Sequence, residues 1–538
     1  MLPSGPTAPP TFADLVTARG EDDSTALWFE GTRWTWREVV AQSRARAALA
    51  QQAMAECAPT TPRHVGVFLE NTAEHLFWWL GCALGGIPYV GINPTRRGSD
   101  LSHDITFTDC GLLVVDGPRA PLLHGLAALP PLVQVDGAEY RDTVEAAVPA
   151  ALPHVAPDAI LSLIFTSGTT SAPKAVICSQ ARMARIALTQ VERRGLSADD
   201  TFYVVMPMFH SNALMAGIAP AVATGGTIVL RRRFSASSFL SDVRTYGVTF
   251  FNYVGKPLNY VLATPQHPDD ADNTLRIAFG NEASERDIAA FAARFGCRVI
   301  DGFGSSEGEI QIVRTPETPP GSLGVSARGG TVVMDPDTLT ECPRAQFDPH
   351  GVLLNAEEAV GEIVQLNGAE LFEGYWNNPE AQAARLRNGW TWSGDLAYRD
   401  EAGFWYFAGR TSDWLRVDGE NLATAPMERL LNRFDAFDAV AVIAAPDEAV
   451  GDQVYAVAEV PPDRQFDNDA FGAFLAAQPD LGTKWAPRWV RIVAELPRTP
   501  SNKVVKRSLA ADLIPGRRPD GTSDLYVRLA PDLHYRPA

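Results

Sequence analysis

Twelve consecutive residues, Leu163-Ile-Phe-Thr-Ser-Gly-Thr-Thr-Ser-Ala-Pro-Lys174, hold the densest chemistry in the chain. An apolar run feeds straight into five small residues, Thr166, Ser167, Gly168, Thr169 and Thr170, and then into Pro173 and Lys174. Hydroxyls and exposed amides can wrap a polyphosphate, and the lysine ammonium supplies a compact charge for it. A Walker A loop is excluded, because its Gly-Lys-Ser/Thr end is replaced here by Pro173-Lys174-Ala175. On composition alone, a plain surface loop is the competing reading.

A second candidate is Arg298-Val-Ile-Asp-Gly-Phe-Gly-Ser-Ser-Glu307-Gly308, a strand running into a glycine-rich turn. As a dinucleotide fingerprint it fails. The third glycine falls one residue late, and Glu307 stands where a pyrophosphate would approach a helix N-terminus. Taken singly, Glu307 reads as a solvated glutamate, His210 as a packed histidine and Gly419 as a turn glycine. Of 46 basic residues only Lys174, Lys256, Lys484, Lys503 and Lys506 are lysines. In a chain that defaults to arginine, each lysine gains weight as a position where a small, flexible ammonium is wanted.

These loops need rigid elements behind them. Residues 20–160 alternate short β-like runs (Ala26 to Phe29, His64 to Leu69, Leu112 to Val115) with helical patterns (Trp36 to Met54, Glu74 to Leu84). Alternation of this kind predicts parallel, helix-covered sheets. It continues through Thr201 to Val205, Thr227 to Leu230, Thr249 to Tyr253, Leu275 to Ala278 and Arg298 to Asp301. Past residue 325 the texture changes to short strands with Gly, Asp and Pro turns. From about 413 a compact α/β pattern returns, through Met427 to Phe434, Ala439 to Ala444, Val454 to Val460, Asp469 to Gln478 and Val490 to Ala494. The expected organisation is an N-terminal domain over 1–410, its β-rich part at about 325–410, and a C-terminal domain over 411–538.

Bulk properties narrow the function classes. At 538 residues the chain needs more than one core. A net charge of −18 excludes a phosphate-backbone partner, so no nucleic acid is expected. The apolar stretches Phe77 to Ile92 and Ile218 to Leu230 fall short of the roughly 18 residues of a membrane helix and read as buried core. Scattered cysteines without metal spacing, and an N-terminus without an apolar leader, predict a reduced, cytoplasmic protein. Peripheral membrane contact and a homodimer stay open.

The loop ending at Lys174 resembles the signature loop of the adenylate-forming superfamily, Thr-Ser-Gly-Thr-Thr-Gly-x-Pro-Lys-Gly, with Ser171 and Ala175 in place of two glycines. Four further segments resemble that superfamily in its own order. Phe303-Gly-Ser-Ser-Glu307 resembles its Tyr/Phe-Gly-x-Thr/Ser-Glu motif, and Ser393-Gly394-Asp395 its Thr/Ser-Gly-Asp motif. Arg410-Thr-Ser412 resembles the hinge, with Ser412 replacing the usual Asp or Lys. Leu496-Pro-Arg-Thr-Pro-Ser-Asn-Lys503 resembles the loop that carries the adenylation lysine, with Asn502 for glycine. The blocks Phe251-Asn-Tyr-Val-Gly-Lys-Pro, Gly280-Asn281 and Gly419-Glu-Asn-Leu-Ala-Thr424 resemble the fatty-acid transport protein and very-long-chain acyl-CoA synthetase branch. Glu282 departs from that branch's Gly-Asn-Gly, and Lys256 from its usual Glu.

The resemblance implies an α/β fold: two helix-covered sheets plus a small β-rich subdomain, with a mobile C-terminal α/β lid. It implies an ATP-dependent acid–thiol ligase that forms acyl-AMP from a carboxylic acid, expected to be fatty, and then acyl-CoA. The co-substrates would be ATP and coenzyme A, with Mg2+. Lys503, Lys174, Glu307 and Thr166 would be catalytic, the last two also on the metal. Nucleotide contacts are expected from Thr166 to Thr170, Lys174, Gly280, Asn281, Glu282, Asp301, Gly302, Phe303, Gly304, Ser305, Ser306, Asp395, Arg410 and Lys503. His210, Asn212, Tyr253 and Val254 would line the acyl pocket, Gly419 and Glu420 the coenzyme A tunnel, and Ser412 would be the pivot. Two rivals are an acyl-AMP ligase that loads a carrier protein and a fatty-acid binding or uptake protein without catalysis.

Overall fold

The computed structural model describes residues 9–55, 63–127, 129–147, 152–166, 174–349, 351, 353–410, 414–417, 420–447, 451–479, 481–482, 484–499, 504–511, 524–529 and 532–537. Its contacts divide the chain into two units: residues 1–167, 173–301 and 373–382 form the first, and residues 168–172, 302–372 and 383–538 the second.

The first unit holds two sheets. One has the order Leu132–Gln134, Cys110–Val115, His64–Phe68, Tyr89–Gly91, Ile160–Thr166, Lys174–Ser179. All its pairings are parallel except the last, an antiparallel hairpin in which Thr166 faces Lys174. His64–Phe68 is buried at every residue, as expected of a parallel strand covered on both faces. The other sheet runs Arg298–Gly304, Ile277–Asn281, Phe250–Val254, Thr201–Val204, Thr227–Leu230, Thr25–Phe29, Thr32–Thr35. It too is parallel until the antiparallel hairpin at Thr25–Phe29 and Thr32–Thr35.

Helix Ala73–Gly85 starts on Thr72, whose hydroxyl accepts from the His75 amide at 3.1 Å, and ends on Gly86 at φ +63°. Almost every residue in it is buried. A helix apolar all round belongs inside, which accounts for Phe77 to Ile92 as core rather than membrane. Among the described residues no helix is long and apolar enough to cross a membrane. Residues Asn212–Ile218 form a π-helix, a form the sequence did not announce.

The second unit contains a five-stranded sheet, Thr331–Met334, Gly361–Gln365, Trp390–Arg399 and Leu386–Arg387, with Trp405–Arg410 also pairing with Trp390–Arg399. Its seven-stranded sheet centres on Gly451–Glu459, paired antiparallel with Ala439–Asp447 and parallel with Trp489–Val493. The segments singled out from Met427 and from Asp469 fall on the helices Thr424–Leu431 and Asn468–Ala476. The described cysteines (82, 110, 178, 297 and 342) carry free thiols, and all but Cys110 are buried.

Candidate active site

In the first unit, the strand Ile160–Thr166 delivers its carboxyl end to the phosphate-loop segment. The Thr166 hydroxyl donates to the Lys174 carbonyl at 3.4 Å, and the Lys174 ammonium stands 5.2 Å from the centre of the Tyr375 ring. Residues 373–376 lace onto this hairpin. Ile177 N donates to Gly374 O at 3.1 Å and Trp376 N to Ala175 O at 2.8 Å, while the Glu373 carboxylate accepts from Ser179 N and Oγ at 2.7 and 2.6 Å. Lys174 therefore leaves a strand fixed on both edges. Ser167, Gly168, Thr169 and Thr170 lie outside the described residues.

A second group gathers at the carboxyl ends of Phe250–Val254 and Ile277–Asn281, where parallel α/β sheets place ligands. Tyr253 Oη donates to Asp301 Oδ2 at 2.9 Å, and the Ala283 amide donates to the same oxygen at 3.2 Å. Gly280 lies opposite Tyr253 in the parallel register, and a β-carbon there would sit 2.4 Å from the Tyr253 carbonyl oxygen. Only glycine fits. Asn212 Nδ2 donates to that carbonyl at 3.2 Å and receives Asn252 Nδ2 at 2.7 Å. Gly217 in the π-turn abuts the Asn252 amide, so the turn and the strand hold Asn212 together. The ring of His210 packs 4.3 Å from that of Phe209, and Val254 is buried. Glu282 takes the left-handed backbone at φ +69° that the related branch gives to glycine. Beside it, Asn281 Oδ1 is buried with no hydrogen-bond partner among the described residues. A buried acceptor of this kind suits a ligand's N–H.

In the second unit, Gly302, Phe303 and Gly304 pair antiparallel with Gln311–Val313, and Phe303 lies 6.0 Å from the Phe407 ring. The following turn closes through Gly308 N to Ser305 O at 3.0 Å, which sets Ser306 and Glu307 at its tip. Glu307 is 8% exposed. Arg385 Nη1 stands 3.8 Å from its carboxylate. Asp395 sits at a bulge of the strand Trp390–Arg399: its amide donates to Ser393 Oγ at 3.0 Å, and Gly394, at φ +75°, donates its amide to Glu362 Oε1 at 2.6 Å. Burial pushes the Glu362 carboxyl up, against the pull of the Gly394 amide and Arg387. Asp395 faces Arg410 in the strand register. The Arg410 side chain, Ser412, Gly419, the Glu420 side chain and Lys503 lie outside the described residues. The flanks of the last are held, by a bridge from Arg498 to Val504 and by Val505 N on Pro497 O at 2.8 Å.

The family model for AMP-binding enzymes matches residues 16–376, well over half the chain. The protein belongs to the AMP-binding enzyme family. It is 48% identical over 505 residues to a steroid-22-oyl-CoA synthetase of Rhodococcus jostii, covering 93% of this chain and 90% of that one. It is 47% identical over 507 residues to a medium/long-chain-fatty-acid–CoA ligase, FadD17, of Mycobacterium marinum, covering 94% and 97%. The fold of ATP-bound MatB from Rhodopseudomonas palustris superposes with a TM-score of 0.80 at 22% identity, covering 93% of this chain and 97% of that one. That likeness establishes the mixed α/β fold.

For this AMP-binding enzyme, sequence reasoning missed the residues that hold the motif residues in place. Glu362, Glu373, Tyr375 and Arg385 belong to no motif, Asn252 lies inside the Phe251-Asn-Tyr-Val block with no role read for it, and each meets its partner far away in the chain or from inside an apolar run. Among the described residues no three His, Cys, Asp or Glu side chains converge on a cation. Mg2+ asks for less, since it is commonly held by one or two carboxylates and the substrate's phosphates. Glu307, a carboxylate at a turn tip, fits that requirement.

Proposed function

We propose that this enzyme activates an apolar carboxylic acid with ATP and transfers the acyl group to coenzyme A. The observation that carries the reading is the match at 47–48% identity, over nine-tenths of the chain, to two CoA ligases for hydrophobic acids. A medium- or long-chain fatty acid or a steroid side-chain acid is the substrate class this supports.

In the first half-reaction a carboxylate oxygen attacks the α-phosphorus, the bond to the bridging oxygen breaks, and pyrophosphate leaves. Two anions must meet, so the site has to neutralise both. Lys174 and Lys503 supply ammonium groups, the Thr166–Thr170 loop supplies hydroxyls and amides, and Ser306 bonds the α-phosphate. Glu307, with Thr166, would hold Mg2+, which when bound spreads phosphate charge. Asp395 and Arg410 take the ribose, Phe303 lies on adenine, and the orphaned Asn281 Oδ1 accepts a ligand N–H. In the second half-reaction a pantetheine thiol attacks the acyl carbonyl and AMP departs, with the C-terminal segment from about 411 turning at Ser412 to bring Gly419 and Glu420 to the thiol's path. Neither step needs a nucleophile on the enzyme. A cytoplasmic location is part of the same proposal, supported by free, buried thiols.

The test is a panel of straight-chain fatty acids and a steroid-22-oic acid, followed by ATP–pyrophosphate exchange and by mass detection of acyl-CoA. Both signals with one of these acids are expected. Exchange without acyl-CoA formation would point to a carrier-protein acceptor, and neither signal would point to a binding protein.

A further inference from the structure

Arg385 belongs to none of the motifs, yet its guanidinium meets three separate residues. It is only 9% exposed. Its Nε and Nη2 donate to Glu309 Oε1 at 3.0 and 2.5 Å, and its Nη1 donates to the carbonyl of Ser393 at 3.0 Å. The same Nη1 stands 3.8 Å from Glu307 Oε1, an ionic contact too long for a hydrogen bond. Glu309 is wholly buried, and its other oxygen accepts from Ser305 Oγ at 3.4 Å. One planar fork thus ties two segments together: the turn 305–309, which presents Glu307, and the strand bulge 393–395, which presents Asp395.

The charges matter as much as the geometry. Arg385 and Glu309 neutralise each other, which leaves the three-residue group at a net −1 carried by Glu307. A lone guanidinium beside Glu307 would compete with a divalent cation for it. A guanidinium already hydrogen-bonded to Glu309 and to a backbone carbonyl cannot close the last 3.8 Å without giving up those bonds, so it orients the Glu307 carboxylate by charge without taking it as a hydrogen-bond partner.

We propose that Arg385, anchored by Glu309, is the positioning residue that sets Glu307 and Asp395 in register for nucleotide and metal. This rests on the roles given to Glu307 and Asp395 above. Lysine cannot replace it, because an ammonium lacks the planar fork needed to bond a carboxylate and a carbonyl together.

The test uses the full chain and ligands that need no knowledge of the acid. Calorimetry measures ATP affinity across a Mg2+ titration, which reads the Glu307 arm, and AMP affinity without Mg2+, which reads the Asp395 arm. Arg385→Met alone would bury an unpaired Glu309, so the decisive variant is Arg385→Met with Glu309→Met, an apolar exchange of a buried pair that folds tolerate. We expect a melting temperature near the wild type, a Mg2+ requirement raised about tenfold or more, as for other partners behind a metal ligand, and weakened AMP binding. Unchanged ATP and AMP constants in this folded variant, alongside lost Mg2+ dependence in Glu307→Gln, would overturn the inference and leave the proposed function standing. Unchanged constants in Glu307→Gln as well would overturn the role of Glu307 and the inference with it. If the paired variant does not fold, Arg385→Lys carries the test: a smaller shift in the same two constants supports the inference, and wild-type values refute it.

Discussion

Replacing Gly280 by alanine probes the junction where the strands Phe250–Val254 and Ile277–Asn281 touch. The new β-carbon would meet the Tyr253 carbonyl oxygen at 2.4 Å and two ring carbons at 2.6 and 2.7 Å. The carbonyl is fixed by the parallel pairing of Phe250–Val254 with Ile277–Asn281 and by the Asn212 amide, so the backbone cannot turn aside cheaply. The ring can retreat only by pulling its hydroxyl away from Asp301. Overpacking of this kind costs about 1–3 kcal/mol. Stranding a buried carboxylate oxygen costs about 1–3 kcal/mol more, reduced here because the Ala283 amide stays. Gly280→Ala should therefore lose about 2–5 kcal/mol, a large share of a domain's stability. Tyr253→Phe keeps the ring and removes only the second contribution, so it should lose the smaller part. Urea unfolding followed by tryptophan fluorescence reads both, and the double variant closes a cycle in which the two effects are less than additive. A loss under about 0.5 kcal/mol in Gly280→Ala, the scale of an ordinary surface change, would refute the packing argument.

Other outcomes follow from single groups. Burial pushes the His75 imidazole down to about 4, while its Nδ1 donates to Glu70 O and its Nε2 accepts from Tyr89 Oη. The folded state then holds fewer protons than the unfolded one below the ordinary 6.5, so His75 contributes full stability above that pH and loses it as pH falls toward 4. At about 1.4 kcal/mol per pH unit the window is worth about 3 kcal/mol, and His75→Gln should flatten that part of the urea-midpoint profile. Lys503→Ala should slow adenylation by about 2–4 kcal/mol, the scale of a lost transition-state donor, while thioester formation from supplied acyl-AMP stays near wild type. Parallel loss in both half-reactions would remove its assigned role. Gly419→Leu should keep exchange and abolish acyl-CoA if the backbone there lines the thiol's path, whereas a turn glycine would lose both together.

Strands were the most legible part of the fold because their apolar runs are continuous: His64–Phe68 and Phe250–Val254 are buried at every position. Even so, Asn252 sits in the middle of one such run, and nothing local says that its amide reaches Asn212, forty positions back in the chain. The π-turn that receives it has no sequence signature of its own. Lys174, Glu307 and Asp395 were visible because each lies in a short segment whose chemistry can be read in place. Arg385 was not. It follows Pro379-Glu-Ala-Gln-Ala-Ala in a segment with the polarity of a surface helix, and its main partner, Glu309, is 76 positions away. Glu282 shows the opposite case. A residue that departs from the glycine of related chains still adopts the left-handed backbone. The loop geometry there is imposed by its neighbours, at the cost of local strain.

The buried thiols have a bearing on the lifetime of the intermediate. An acyl-adenylate is a mixed anhydride, an electrophile that any nearby thiolate or free amine can consume. Burial pushes Cys178 and Cys342 up to about 11 and Cys110 and Cys297 up to about 12, with Cys82 higher still. At neutral pH each of these thiols is thiolate only on the order of one part in ten thousand or less. Amines are scarce as well, since only five lysines stand among 46 basic residues and a guanidinium holds phosphate without attacking a carbonyl. The described cysteines thus offer the activated acid no ready thiolate, so among them the acyl group finds no rival to the thiol that arrives from outside.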